Sequence, residues 1–200
     1  TINGDANVPF YKELGNQGIS ATDIPVVAFS VGEEELSGID TKPLVGHLAA
    51  WNYFMSVKDK ANDAFIKQWH TFIKDKKRVT NDPMEAHYIG FNMWVKAVEK
   101  AKSTDPDKVI DAMVGIEYPN LTGGVAKMLP NHHLTKPVLI GEIQADGQFD
   151  VVWKTKGLVP GDAWSDYLPG SKDIIADWAD PKIHCGNYNT VTKKCSGQNY

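Results

Sequence analysis

Arginine is nearly absent from this 200-residue sequence, since Arg78 is the only arginine among its 21 basic residues. The formal net charge is -4 and the sequence pI is about 5.8. Proteins that bind nucleic acid normally present a basic stripe, and arginine supplies the bidentate contacts with phosphate. The composition therefore argues against a nucleic-acid partner.

The sequence also lacks a long apolar run. A membrane-spanning helix needs about 20 predominantly apolar residues, whereas the longest candidates, such as residues 138–143, have the length of a strand. We therefore expect no direct membrane insertion. The chain has no initiator methionine and no signal peptide, and it begins at Thr1 in a pattern typical of a strand-to-loop segment. We expect a processed form, an engineered fragment or an incomplete sequence.

Cysteine is rare, and both copies, Cys185 and Cys195, lie within the last sixteen residues. A disulfide that closes this short polar loop suits an oxidising compartment, which predicts a periplasmic or otherwise extracytoplasmic or secreted protein. Free thiols are the alternative. A zinc site is disfavoured, because it needs more ligands and His184 is the only neighbouring candidate.

Recognisable catalytic motifs are absent as well. The sequence has no Gly-x-Ser-x-Gly elbow, no phosphate-binding loop and no His-Glu-x-x-His helix. The acidic triplet at residues 33–35 is predicted to be a solvated helix start, because magnesium or calcium would require oxygen ligands at more varied spacing. We therefore predict that the chain is not an enzyme and uses no metal or cofactor.

Hydrophobic periodicity predicts strands that alternate with helices. Strands are predicted over residues 25–29 and 44–54, and helices over residues 7–17, 59–77, 83–101 and 105–113. Asp146 and Gly147 stand between two apolar segments and predict a hairpin over residues 138–153. This order favours an α/β fold with an open, mostly parallel sheet and flanking helices.

Polar side chains collect where the predicted strands end. Ligands of open α/β sheets bind at the carboxyl ends of the strands, which points to the loops at Asn3 and after residues 27–29. Residues 51–54 add aromatic and amide groups, and residues 81–85 place polar groups at a helix N-terminus. The set suits a small neutral polar ligand. Each residue also has a structural explanation, such as Trp51 in the core.

Several long strings carry a resemblance to a known family. They are FSVGEEEL at residues 29–36, GHLAAWNYF at 46–54, VTNDPMEA at 79–86, NHH at 131–133 and IGEIQADGQF at 140–149. Over about residues 1–168 the chain resembles the urea-binding proteins of bacterial ABC transporters. These belong to the branched-chain amino-acid and amide-binding group of periplasmic proteins.

The resemblance implies a type I periplasmic-binding fold, in which two α/β lobes joined by crossover strands close around a ligand. Full members of this family are longer, so we expect only the C-terminal part of the fold, incomplete relative to the two-lobed form. Residues 1–156 would supply parts of both lobes, with hinge crossings near residues 44–54 and 78–83. Residues 157–200 would form an irregular tail that holds the Cys185–Cys195 loop.

The resemblance also implies a function. The chain would capture urea or a short-chain amide reversibly in an interlobe cleft and deliver it to the membrane permease of an ABC transporter. By position, the ligand-binding residues would be Asn3, Asp5, Ser30, Trp51, Met84 and Glu85. The alternative is a truncated, repurposed domain that acts as a structural or protein-interaction subunit beside another protein subunit.

Overall fold

Helices and strands alternate through the first part of the chain, as the periodicity predicts. The structure, a computed structural model, describes residues 2–162, 188–189 and 194–195. Two units are present, Thr1–Gly161 and Asp162–Tyr200. The helices of the first unit are α1 (Asn7–Asn16), α2 (Glu33–Leu36), α3 (Lys60–Ile73), α4 (Asp82–Ala101) and α5 (Pro106–Met113), with the 3-10 turns η1 (Gly4–Ala6) and η2 (Lys42–Leu44).

The strands of the first unit form one four-stranded sheet and two short pairs. They are β1 (Val27–Ala28), β2 (Leu48–Trp51), β3 (Glu117–Pro119), β4 (Val125–Lys127), β5 (Thr135–Lys136), β6 (Leu139–Ile143), β7 (Phe149–Lys154) and β8 (Val159–Pro160). The sheet order is β1-β2-β6-β7, while β3 pairs with β4 and β5 pairs with β8.

The four-stranded sheet is mixed. Strand β1 runs parallel to β2, but β6 runs antiparallel to β2, and β7 runs antiparallel to β6. The expected α/β architecture is therefore confirmed, whereas the expectation of a mostly parallel sheet is corrected. The tight turn at Asp146 and Gly147 accounts for the β6–β7 pair, because a turn that joins two strands directly allows only an antiparallel pairing. The antiparallel β2–β6 pair joins strands that are distant in the sequence, so no local signal indicates its direction.

Two predicted strands are shorter than their apolar runs. Strand β1 pairs over two residues only, and Val27 is 47% exposed because β1 lies at the edge of the sheet. Residues 44–54 were expected to form one strand, but β2 begins at Leu48 because η2 and Gly46, with φ of +94°, turn the chain first. Glycine tolerates this left-handed conformation without steric cost.

Three of the helices, α3, α4 and α5, begin at side-chain caps. The Asn81 side chain accepts a hydrogen bond from the Met84 amide (3.1 Å) at the start of α4. Asp59 and Asp105 cap α3 and α5 in the same way. Each cap satisfies a backbone donor that the first helical turn leaves without a partner. These caps place the N-terminus of α4 directly after Asn81.

Three apolar clusters hold the first unit together. The largest packs α1, α2 and the four-stranded sheet around Tyr11, Leu36, Phe54 and Phe149. A second lies between α4 and strand β4, around Met93 and Ala126, and a third joins Tyr53, Phe65 and Leu121.

The second unit contains the strands β9 (Tyr188–Asn189) and β10 (Lys194–Cys195), which pair antiparallel. Cys185 lies outside the described residues, so the predicted disulfide between Cys185 and Cys195 stays a prediction. Among the helices that the structure describes, none is both long and apolar enough to cross a membrane.

Candidate functional site

The parallel pairing of β1 with β2 brings two strand ends to one edge of the sheet. Val27 pairs with Leu48 and Ala28 with Ala49, so the segments after Ala28 and Trp51 emerge on the same side. The N-terminus of α4 joins them, because the backbone amide of Asn52 donates a hydrogen bond to the Asp82 carboxylate (2.9 Å). Polar groups from three separate parts of the sequence therefore meet there.

Asn3, Asp5 and Ser30 lie together at this edge. The Ser30 hydroxyl donates a hydrogen bond to the carbonyl of Ile2. The Asn7 side chain donates to the carbonyls of Gly4 (3.2 Å) and Ser30 (3.1 Å), which joins η1 to the segment after β1. Asn3 and Asp5 are exposed and Ser30 is half-buried. The structure thus brings Ser30 next to the segment that carries Asn3 and Asp5, although Ser30 stands far from that segment in the sequence.

Trp51 connects the two strand ends. Its indole nitrogen donates to the carbonyl of Val31 (2.7 Å), and its ring packs partly against the largest apolar cluster. It is half-buried, so one part of the ring belongs to the core and another part faces solvent. We call Asn3, Asp5, Ser30, Trp51 and Asp82 the strand-end surface.

Met84 and Glu85 do not lie on the strand-end surface. Met84 is half-buried and packs against the third apolar cluster, which contains Tyr53 and Phe65. Glu85 is fully buried, and its carboxylate accepts a hydrogen bond from the ammonium group of Lys136. Both side chains therefore contact the interior of the first unit.

Lys136 is a residue that the sequence analysis missed. Its side chain is only 11% exposed, and its partner Glu85 stands 51 positions earlier in the sequence. Burial raises the pKa of Glu85, the charge of Lys136 opposes that rise, and the neighbouring Asp82 adds to it. The local sequence shows only a lysine in a strand-like segment that precedes an apolar run. A lysine on the protein surface would give the same pattern, so the sequence does not reveal that Lys136 is buried.

Glu33 corrects the expectation of a solvated acidic triplet. Its side chain is buried, one carboxylate oxygen accepts from the amide of Met55 (2.6 Å), and the other has no partner among the described residues. Burial raises the pKa of Glu33 to about 7. Only Glu34 behaves as expected and is exposed, while the Glu35 carboxylate accepts a hydrogen bond from the Gly32 amide (2.8 Å) at the start of α2.

The strand-end surface and the groups beneath it carry more negative than positive charge. Asp5, Glu33, Asp82 and Glu85 lie on or under the surface, and Lys136 is the buried cation among them. Burial raises the pKa of Asp82, whereas Lys136 opposes the rise. Within residues 2–162, no group of three or more His, Cys, Asp or Glu side chains is placed to hold a metal ion.

Comparison with known proteins identifies the family. A family model described as a periplasmic binding protein domain matches residues 1–170. The chain therefore belongs to the family of periplasmic binding protein domains. Its fold is the type I periplasmic-binding fold, with a mixed sheet and flanking helices, and the chain contains part of that fold.

Two solved structures are similar to this chain. The solute-binding protein of an ABC transporter from Rhodopseudomonas palustris HaA2, in complex with p-hydroxybenzoic acid, has a TM-score of 0.67 and 23% identity, over 79% of this chain and 44% of that chain. An amino acid ABC transporter substrate-binding protein from Pseudomonas fluorescens Pf-5 has a TM-score of 0.63 and 20% identity, over 76% of this chain and 42% of that chain. At these identities the likeness concerns the fold.

A curated protein named limonene hydroxylase, from Geobacillus stearothermophilus, is 30% identical over 125 residues, which are 60% of this chain and 22% of that protein. The chain thus spans less than half the length of each of these three proteins. Because the match covers a minor part of the Geobacillus protein, its name carries no argument about the activity of this chain.

Proposed function

We propose that this chain is the C-terminal part of the solute-binding component of an ABC transporter, and that it binds urea or a short-chain amide reversibly. The ligand passes to a membrane permease, and no covalent step takes place. The proposed location is the periplasm or another extracytoplasmic compartment, in agreement with the family. Family membership over residues 1–170 supports the transport part of the proposal.

The observation that carries the amide part is the excess of hydrogen-bond acceptors and negative charge at the strand-end surface. Urea and primary amides are neutral and donate several N–H groups, so carboxylates such as Asp5 and Asp82 can accept from them. A carboxylate ligand would bring a second negative charge next to these groups, which costs free energy in a partly buried site. The surface therefore favours an uncharged ligand rich in donors.

The contacts of each predicted residue suggest its part in this proposal. Asn3 and Asp5 are exposed and supply hydrogen-bond acceptors. Ser30 holds the N-terminal segment that carries them in place through its hydrogen bond to the carbonyl of Ile2. The exposed part of Trp51 forms an apolar wall. Met84 packs against the third apolar cluster and so holds the start of α4 in place, and Glu85 acts from the interior by holding Lys136.

Isothermal titration of the 200-residue chain with urea, acetamide, benzoate and leucine tests the proposal. We expect saturable heat with urea or acetamide and none with benzoate or leucine. If benzoate or leucine binds and neither amide does, the chain is still a solute-binding protein, but the proposed specificity for amides is wrong. Heat from none of the four ligands would overturn both parts of the proposal for this chain.

The variant Asp5→Asn tests the strand-end surface itself. The asparagine keeps the size of the side chain but removes its charge, so we expect urea binding to weaken about fivefold. Asp63→Asn is the matched control, because Asp63 is an exposed carboxylate on α3, outside the strand-end surface. Equal affinities of the two variants would remove Asp5 from the site.

A second candidate function, an interaction subunit, is favoured by two exposed aromatic pairs. Trp69 stacks with Phe72 on α3, and Phe91 stacks with Trp94 on α4. Phe72 is 80% exposed and Phe91 is 60% exposed, which is unusual for side chains of this size. If these pairs bind a second copy of the chain, sedimentation will show a concentration-dependent dimer that Phe91→Ser weakens. A monomer at all concentrations would contradict self-association.

A further inference from the structure

A cavity of about 270 Å³ opens next to Asn52, where β2 leaves the sheet. The described residues that line it all belong to the Thr1–Gly161 unit. Its polar lining comes from Asn52, Lys136 and His133, and its apolar lining includes Leu134, Val138 and Pro160. None of the six residues predicted from the sequence lines this cavity. Its volume suits a small solute accompanied by a few water molecules.

Lys136 provides hydrogen-bond donors at the wall of the cavity. An ammonium group has three donors, and among the described residues only the Glu85 carboxylate accepts from it. Because the Lys136 side chain is 11% exposed, water has little access to the remaining donors. An occupant of the cavity with an accepting oxygen would complete the hydrogen bonding of this buried cation.

Asn52 provides a fixed acceptor on the same cavity. Its side-chain nitrogen donates to the carbonyl of Pro137 (2.6 Å), which determines the orientation of the amide group. Its backbone amide is used by Asp82. The side-chain oxygen of Asn52 accepts no hydrogen bond from the described residues, so it is available to an N–H group in the cavity.

We propose that this cavity is a subsite for a neutral primary amide, in which Lys136 donates to the carbonyl oxygen of the ligand and Asn52 accepts from its NH2 group. The inference rests on the proposed function and deepens it by naming two further groups, beyond the strand-end surface, that form hydrogen bonds with the amide. The apolar wall formed by Leu134, Val138 and Pro160 takes the methyl group of acetamide.

The charges around Lys136 select an amide over a carboxylate of the same shape. The Glu85 carboxylate forms an ion pair with this ammonium group, and the Asp82 carboxylate lies near enough to act on its charge, so the cation already has two acidic neighbours. A carboxylate ligand would meet a net negative surrounding, whereas a neutral amide would not. Glu85 is a positioning residue in this arrangement, because it fixes the Lys136 side chain and does not line the cavity.

Acetamide and acetate form a matched pair of probes, since they share their shape and differ in charge. Titration of the 15N-labelled 200-residue chain should shift the backbone amide signals of Asn52, Lys136 and Val138 with acetamide and with urea. Acetate at the concentration that saturates acetamide should leave these signals in place. Amide binding without shifts at these three positions would overturn the subsite and leave the proposed function standing.

Two variants test the named groups in the same assay. Lys136→Met keeps the length of the side chain without its donors, and we expect acetamide affinity to fall at least tenfold, whereas Lys67→Met, at an exposed position on α3, should bind as the wild type does. Glu85→Gln removes one of the two negative charges, so the ratio of acetate to acetamide affinity should rise about tenfold. A purely structural role of Glu85 would weaken both ligands equally.

The outcomes separate the two proposals. Unchanged acetamide affinity in Lys136→Met, or an unchanged acetate-to-acetamide ratio in Glu85→Gln, overturns the subsite while amide binding by the wild type still supports the proposed function. A wild-type chain that binds neither acetamide nor urea overturns both. If circular dichroism shows that Lys136→Met is unfolded, two other measurements test the subsite. They are the shifts of the wild-type backbone amide signals with acetamide and the acetate-to-acetamide affinity ratio of Glu85→Gln.

Discussion

At the scale of single residues, Glu33 shows how tertiary contacts override a local pattern. It stands in a row of three glutamates at a helix start, where sequence alone predicts solvent exposure. The fold instead directs its side chain to the backbone amide of Met55, which has no other acceptor in the described residues. Nothing in the local sequence distinguishes Glu33 from Glu34, which lies in solvent.

Burial of Glu33 makes the stability of the chain depend on pH. Its pKa is about 7 in the folded chain and near the ordinary 4.5 in the unfolded chain. Between these pH values the folded state holds the extra proton, so the free energy of unfolding falls as pH rises from 4.5 to 7 and stays low above it. For one residue this fall is on the order of 3 kcal/mol.

We therefore expect Glu33→Gln to gain stability relative to the wild type as pH rises from 5 to 8, because glutamine does not ionise. The measurement is unfolding by guanidinium chloride at several pH values, since urea is the proposed ligand. Glu34→Gln is the matched control, because Glu34 forms only an exposed ion pair with Arg78 (3.4 Å). A difference between Glu33→Gln and wild type that stays constant with pH would contradict the prediction.

Two buried tyrosines give a second prediction at this scale. The Tyr53 hydroxyl bonds the side chains of Asn62 and Thr80, both at 2.7 Å, whereas the Tyr11 hydroxyl has no partner among the described residues. Tyr53→Phe leaves two buried polar groups without a partner, so it should lower the free energy of unfolding by about 1–3 kcal/mol. Tyr11→Phe should change it by less than about 0.5 kcal/mol or raise it. Equal losses would show that the hydroxyl contacts do not matter.

At the scale of elements, the helices follow their sequence signals closely and the strands do not. Asn81, Asp59 and Asp105 mark helix starts because capping depends on neighbouring backbone groups alone. Strand length depends on a partner strand, which local sequence does not contain. Thus β1 pairs over two residues of a longer apolar run. The β6–β7 hairpin is confirmed because its turn residues carry the signal themselves.

The packing of this hairpin leads to a prediction for Gly141 in β6. A methyl group there would lie 2.7 Å from the Phe54 ring and 3.0 Å from the Cβ of Phe149. Both rings belong to the largest apolar cluster, with centroids 4.6 Å apart, so neither can move freely. We expect Gly141→Ala to lower the free energy of unfolding by about 1–3 kcal/mol.

Gly157→Ala is the matched control, since a methyl group at that position meets nothing within 4 Å. It should change the free energy of unfolding by less than about 0.5 kcal/mol. Denaturation midpoints of the two variants, measured side by side, check the prediction. A Gly141→Ala variant as stable as the control would show that the sheet adjusts around the added methyl group.

At the scale of the whole molecule, all three apolar clusters lie within the Thr1–Gly161 unit. A chain shortened to residues 1–161 therefore keeps every cluster described above. We expect it to unfold in one cooperative transition with a midpoint within a few degrees of the 200-residue chain, as circular dichroism would show. A non-cooperative melt would mean that residues 162–200 are needed for the core to form.

The local sequence by itself determined the α/β class, the positions of α1, α3, α4 and α5, and the β6–β7 hairpin, since caps, periodicity and turn residues act over a few positions. The longer strings of sequence indicated a periplasmic binding protein, which the comparison with a family model confirmed, whereas urea as the ligand stays a proposal. The grouping of Asn3, Ser30 and Trp51 at one edge was expected only because parallel strands end together.

Tertiary structure decided the rest. The mixed sheet, the burial of Glu33 and the pairing of Glu85 with Lys136 depend on residues that are distant in the sequence. A buried charge requires a partner of opposite sign, but the sequence does not show which lysine supplies it. The cavity between Asn52 and Lys136 exists for the same reason, because its two polar groups meet only after β2 and β5 have taken their places in the fold.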